Sequence, residues 1–205
     1  MADSHVPQLG ADGRIIEGLI TTLNKDGTVN ISPMGPIVDK NFRRFVLRPY
    51  QSSTTYQNLK RGGQAVFHVT DDIRLIAETA IGDPLAPPPM VRAKNIEGQI
   101  LKDTCSWYAL RITKLDDAHE RTWLEASCID HGQQRSFIGY NRAQHAVLET
   151  AILATRIHIL PPENIFDDLS RLELIVTKTA SEYEKRAFDF LHHYIESNIS
   201  ASSST

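Results

Sequence analysis

Apolar and polar positions alternate with a period of two over most of the chain and change to a helical period in its last third. Residues 15–23 are apolar and rich in β-branched side chains, Asn24-Lys25-Asp26-Gly27 carries turn chemistry, and residues 28–32 alternate strictly. This predicts a β-hairpin. In its second strand Val29 and Ile31 face one side while Thr28, Asn30 and Ser32 face the other, a polar face suited to solvent or to a ligand. Pro33 and Pro36 are expected to end that strand, because proline has no amide hydrogen to give to a ladder. Residues 42–48 and 65–70 predict two more strands. The alternation of Tyr108, Leu110 and Ile112, and then of Leu124, Ala126 and Cys128, predicts three further strands within 95–133. Strands with short helices at the corners suggest a small closed or partly closed barrel.

Two short helices interrupt this pattern. The first follows Ser52-Ser53-Thr54-Thr55, has Lys60 and Arg61 in its last turn, and has Gly62-Gly63 just past its end. The second is expected to be capped by Asp71-Asp72 and to run through Ile73, Leu75, Ile76 and Ala80; residues 84–90 read as a Pro-rich loop. Beyond Gly139 the period is helical. Ala143, Ala146, Val147, Thr150, Ala154 and Ile157 predict a helix over 142–158, and Ile165, Leu169, Leu172 and Val176 predict another over 163–177. Ser181 and Glu184 form a capping box, which opens a third helix through Ala187, Phe190, Leu191, Tyr194 and Ile195. The domain boundaries expected are 1–135 for the strand-rich part, 136–198 for the helices and 199–205 for a disordered tail.

Composition narrows the class. Of 205 residues, 41% are apolar and 23% charged, which suits a packed globular core. A net charge of −3 gives no electrostatic reason to expect a nucleic-acid partner. No apolar run approaches the roughly 20 residues that span a bilayer. Met1 to His5 lacks the basic and apolar pattern of a secretory signal. Cys105 and Cys128 do not make a disulfide framework and are expected to be free thiols in a reducing, cytoplasmic setting.

The segment from Arg48 to Asn58 carries the most chemistry. A helix start leaves amide hydrogens unpaired and holds about half a positive charge, so it attracts phosphate. Here Ser52, Ser53, Thr54 and Thr55 surround that start and Arg48 lies just upstream. The same residues also suit a well-capped surface helix, and both readings stay open on spacing alone. Other clusters have simpler accounts. His145 and Glu149, four apart, fit a surface pair better than a metal site, and the neighbours His192 and His193 point to different faces, so no metal is expected. Trp107 and Trp123 read as core or interface residues.

The run Ser53-x-Thr55-x-x-Asn58, then Gly62-Gly63 and Ala65-Val66-Phe67-His68-Val69-Thr70-Asp71-Asp72, resembles the FMN-binding split-barrel superfamily of flavin reductase-like proteins. The hairpin agrees, through Glu17, Thr21-Thr22, Asp26-Gly27 and Ser32-Pro33-Met34-Gly35. The run from Gly139 to Arg156 resembles the helical C-terminal domain of one uncharacterised subfamily. The fold implied is α+β: an antiparallel six-stranded split β-barrel followed by a C-terminal three-helix region. The resemblance further implies FMN as cofactor, with Arg48, Ser52, Ser53, Thr54, Thr55 and Asn58 around its phosphate. Ser32, Pro33, Met34 and Gly35 would lie along the isoalloxazine ring, and His68, Val69 and Thr70 near it from the next strand; His68 stands where relatives often carry asparagine. A homodimer with flavin at its interface and a small-molecule redox partner are implied as well. No acid–base pair or nucleophile stands out. An FMN-dependent oxidoreductase, a flavin-binding module without turnover, and a binder of another phosphate-bearing ligand all remain readings of this sequence.

Overall fold

The structure, a computed structural model, describes residues 5–202. The chain forms two compact units: residues up to Thr70 with Pro88–Phe137, and Asp71–Pro87 with the residues from Ile138 onward. The expected N-terminal leader reading concerns residues that lie mostly outside the described span, as does the end of the expected tail at 203–205.

The first unit is built on strands β1 (Arg14–Ile15), β2 (Gly18–Leu23), β3 (Val29–Met34), β4 (Ile37–Val38), β5 (Arg44–Leu47), β6 (Gln64–Val69), β7 (Met90–Arg92), β8 (Gln99–Leu101), β9 (Ser106–Asp116) and β10 (Trp123–Gln133), with helix α1 (Thr54–Gly62) between β5 and β6. Among the described residues eight strands join one antiparallel sheet in the order β1-β4-β5-β10-β9-β6-β2-β3, and β7 and β8 pair separately. Ile20, Val38, Phe45, Leu47, Phe67, Leu110, Leu124 and Ala126, drawn from six of those strands, meet in one buried cluster with Leu59 of α1. A sheet six of whose eight strands meet in one cluster is curled around it. Fully burying a Phe or Leu side chain contributes roughly 1.5–3 kcal/mol, so this cluster is the main stabilising element of the unit. Register shifts in the β9–β10 pair between Glu125 and Ala126, and between Cys128 and Asp130, supply the bulges that let these long strands bend. On the outer face, Val66 and Ala109 pack with Ala93, Ile96 and Ile100 of the β7–β8 segment.

The strand count differs from the six expected, and the reason is local. β1 and β4 are two residues each, too short to show a period of two. β7 starts at Met90, the last residue of a stretch that reads as a Pro-rich loop, and pairs with β8 outside the main sheet. Pro33 does not end its strand: β3 continues to Met34, with Leu19 opposite Pro33. β3 is an edge strand, so the missing amide hydrogen faces away from the ladder.

The second unit holds α2 (Ile73–Ile81), α3 (Arg142–Ala154), α4 (Pro162–Thr179) and α5 (Glu182–Ser202). It is therefore discontinuous in sequence, and the expected division at 135 misplaces α2. Ile73, Ile76 and Ala77 of α2 are buried, as are Ala146, Val147 and Ala151 of α3, Ile165 and Leu169 of α4, and Leu191 and Ile195 of α5. α3 stops at Ala154, earlier than its periodicity suggests, and α5 runs on to Ser202, through the start of the segment expected to be a disordered tail. The expected caps form. Asp72 Oδ1 accepts from the Leu75 amide at 2.9 Å, and Glu184 Oε2 accepts from the Ser181 amide at 2.9 Å. Among the described residues no helix is long and apolar enough to cross a membrane.

Candidate functional site

Helix α1 is fixed at both ends by its own sequence. Ser53 sits in extended backbone, and its Oγ accepts from the Tyr56 amide at 3.2 Å while donating to the Tyr50 carbonyl at 2.7 Å. Gly63 closes the helix at φ 63°, a left-handed conformation that glycine adopts without strain. The last-turn residue Lys60 and the phenol of Tyr56 both bond to Asp117, at 2.9 and 2.6 Å. This sequence makes the helix start a fixed, partly charged surface with Ser52 and Thr54 exposed on it.

Thr55 and Asn58 are differently placed from those hydroxyls. Both are buried, and both tie α1 to the hairpin. Asn30 Nδ2 donates to Thr22 Oγ1 and to Thr55 Oγ1, each at 3.1 Å. Asn58 Nδ2 donates to Thr22 Oγ1 at 3.0 Å and to Asn24 Oδ1 at 2.8 Å, while Arg61 donates to Asn58 Oδ1 at 3.0 Å. The polar face of β3 thus has a definite job at Asn30, which seats the first turn of α1 against the strand. Ser32 and Met34 follow on the same side at intervals of two. Ser32 to Gly35 are half-buried. At Gly35 a Cβ would come within 2.6 Å of a Glu17 carboxylate oxygen, so a larger residue there would make the Glu17 side chain shift.

Arg48 lies at the end of β5, upstream of this helix start. Its Nε is enclosed and donates to no acceptor. Burial lowers its pKa from the usual arginine value, a nearby Arg121 lowers it further, and Glu17 acts in the opposite direction. Arg121 reaches this place because the 117–122 loop is stitched to residues 49–51. The amide and hydroxyl of Thr122 both donate to the Pro49 carbonyl, at 3.0 and 2.7 Å, and the Gln51 amide donates to the Glu120 carbonyl at 2.9 Å. Arg121 has no motif around it, and no local signal in the sequence announces it.

His68 is fully buried. Its Nε2 accepts from the Leu101 amide at 3.1 Å, so the proton resides on Nδ1, which faces the Leu19 carbonyl at 3.4 Å. The imidazole pins β8 to β6, alongside Thr21, whose hydroxyl donates to the Gln99 carbonyl at 2.6 Å. Val69 packs on the inner cluster, and Thr70 is buried. The structure therefore places Ser52, Ser53 and Thr54 at the start of α1 with Arg48 just past β5, puts Ser32 to Gly35 at and beyond the end of β3, and encloses the His68 ring.

Burial depresses the His68 pKa to about 3. The unfolded imidazole titrates near 6.5, so between those values the unfolded state binds the extra proton and stability falls as pH falls. Denaturation midpoints followed from pH 6.5 to pH 5 are expected to drop, with a slope approaching about 1.4 kcal/mol per pH unit. A His68→Gln variant is expected to lose that slope; an unchanged slope would show that other groups cause it.

The remaining candidates are structural. Cys128 is half-buried, its thiol pushed up to about 11 by burial, and Cys105 is buried. Trp107 lies over Gly132, where a Cβ would come within 2.7 Å of its indole nitrogen. Among the described residues no three His, Cys, Asp or Glu side chains gather as a metal site.

The family described as "Protein of unknown function (DUF447)" matches the chain twice: its N-terminal domain over residues 16–135, and its second part over residues 141–193. The chain belongs to this family. The fold of this DUF447 protein is similar to that of an FMN-bound protein from Methanosarcina mazei of the same family, with a TM-score of 0.76 at 20% identity over 88% of this chain and 94% of that one. It is also similar to a flavin reductase domain protein from Arthrobacter sp. FB24, with a TM-score of 0.52 at 16% identity over 60% and 80% of the two chains. Flavoredoxin of Desulfovibrio vulgaris gives a TM-score of 0.51 at 12% identity over 65% and 76%. No curated protein matches the sequence. The fold is thus flavin reductase-like, an α+β architecture with a curled antiparallel sheet and C-terminal helices.

Proposed function

We propose that this DUF447 protein binds FMN and acts as an oxidoreductase of the flavin reductase-like kind, with small-molecule electron donor and acceptor. The observation that carries the reading is the enclosed, unpaired Nε of Arg48 beside the start of α1. A buried donor without an acceptor is destabilising by about 1–3 kcal/mol, and a phosphate oxygen would satisfy it. The FMN-bound relative from Methanosarcina mazei supports the choice of phosphate-bearing ligand. In this reading Arg48, Ser52, Ser53 and Thr54 hold the phosphate, and Thr55 and Asn58 position the helix that presents it. Ser32 to Gly35 lie along the ring, in the manner of a split barrel of the FMN type built on the six strands β2, β3, β5, β6, β9 and β10. Bound flavin supplies hydride transfer through its N5 atom, while the chain binds, orients and shields it. Two copies related by a twofold axis would cover the flavin between them.

The visible absorption spectrum of freshly purified protein tests the binding step, followed by NADH or NADPH oxidation with FMN present. Flavin bands with turnover are expected. Flavin bands without turnover of either nicotinamide would reduce the reading to a flavin-binding module. Protein that stays colourless and takes up no added FMN would end it.

A further inference from the structure

We propose that Arg121 is a second phosphate ligand of this site, so that Arg48 and Arg121 hold one phosphate monoester from two sides. The proposal rests on the reading above and assigns a residue from a distant loop. The two arginines are brought together by backbone, not by each other. Tyr50 and Arg121 form an antiparallel bridge, flanked by the Gln51–Glu120 and Thr122–Pro49 hydrogen bonds. The Arg121 guanidinium lies over the Tyr50 ring, 5.7 Å from its centroid, which gives a long and flexible side chain a preferred direction. Tyr50 stands three residues before the N-cap Ser53, and its carbonyl accepts from both the amide and the hydroxyl of Ser53. The direction that Tyr50 gives Arg121 is thereby tied to the helix start.

Neither guanidinium forms an ion pair with a carboxylate among the described residues. The positive charge of Arg121 acts on Arg48, the Glu17 carboxylate offsets it only in part, and the enclosed Arg48 Nε has no acceptor, so an anion entering between the two arginines is favoured. Arg48 already senses this neighbour, since Arg121 is the second cause of its lowered pKa after burial. A phosphate monoester carries close to two negative charges and enough oxygens to accept from both forks and from the helix amides. Binding it converts a repulsive pair into a clamp. The chemistry asks for a terminal phosphate, which riboflavin lacks.

The test compares wild type, Arg121→Gln and Arg121→Lys. Arg121 is exposed, and losing its contact with the exposed Tyr50 ring costs little, so both variants are expected to keep a Tm close to wild type. Flavin fluorescence quenching should show Arg121→Gln weakening FMN by about tenfold or more, with riboflavin unchanged within about twofold. Arg121→Lys, which keeps the charge, should lose less. Equal changes for FMN and riboflavin in Arg121→Gln would overturn the proposal. A second readout uses inorganic phosphate and the rise in Tm it causes. If wild type showed no preference for FMN over riboflavin, the flavin reading would fail and this readout would decide alone. A phosphate-dependent rise that Arg121→Gln abolishes sustains the clamp; a rise of the same size in both proteins, or none in wild type, removes it.

Discussion

FMN is expected to bind this protein at least about a hundredfold more tightly than riboflavin, a difference due to the phosphate alone. Hydrogen bonds to a charged group contribute about 1.5–3 kcal/mol each, and two of them reach that factor. More than two donors are in place. The Thr54 and Thr55 amides precede the first helical acceptor, Ser52 and Thr54 expose hydroxyls there, and the Arg48 Nε is enclosed and unpaired. Because Thr55 and Asn58 lock the helix to the hairpin, little ordering is left for the ligand to impose. Replacing Arg48 by glutamine should remove most of the preference while leaving riboflavin affinity near its wild-type value. The part of the effect due to exposed groups should weaken with added salt, and the part due to the enclosed Nε should persist. Fluorescence quenching titrations with the two flavins measure the ratio directly. Equal dissociation constants would remove the phosphate from the site.

What the sequence made legible follows from how far each feature reaches along the chain. The β2–β3 hairpin is local: Asn24-Lys25-Asp26-Gly27 closes it, the Asn24 amide donates to the Thr28 carbonyl at 2.8 Å, and Gly27 takes φ 87°. The caps of α1, α2 and α5 are local too, each a side chain bonding an amide within three residues. The arginine beside the helix start is legible through proximity, since Arg48 lies only five residues before Ser53. Other features depend on partners that no local pattern names. Asn58 looks like a ligand residue in its motif, yet its bonds go to Thr22, 36 residues away. Arg121 enters through the Thr122–Pro49 contact, across 73 residues. His68 occupies an alternating strand position, and only the crossing of β8 shows that its face is enclosed. Periodicity reports which face of an element is apolar, and it is silent about what covers the other face.

The same limit shaped the expected domain boundary, and correcting it sharpens the consequence of cutting the chain. A protein ended before Asn141 is expected to be insoluble or aggregated. The reason is α2, which lies in sequence between β6 and β7 but belongs to the helical unit. Ending the chain at 140 retains α2 and removes α3, α4 and α5. Ile73, Ile76 and Ala77, at 4%, 5% and 0% exposure in the intact protein, then lose their cover. Each isoleucine forfeits roughly 1.5–3 kcal/mol of burial, and together they leave an apolar patch on a short helix that is marginal alone. Polar ties go as well. Gln144 Nε2 donates to the Asp71 carbonyl at 3.2 Å, and the Tyr183 hydroxyl donates to Asp72, the cap of α2. The soluble fraction after expression and the elution volume of what remains are the measurements. Truncated protein that stayed soluble, dimeric and yellow would show that α2 holds without its neighbours. The C-terminal helices would then be an independent appendage suited to recruiting a partner, and the flavin site would be complete without them.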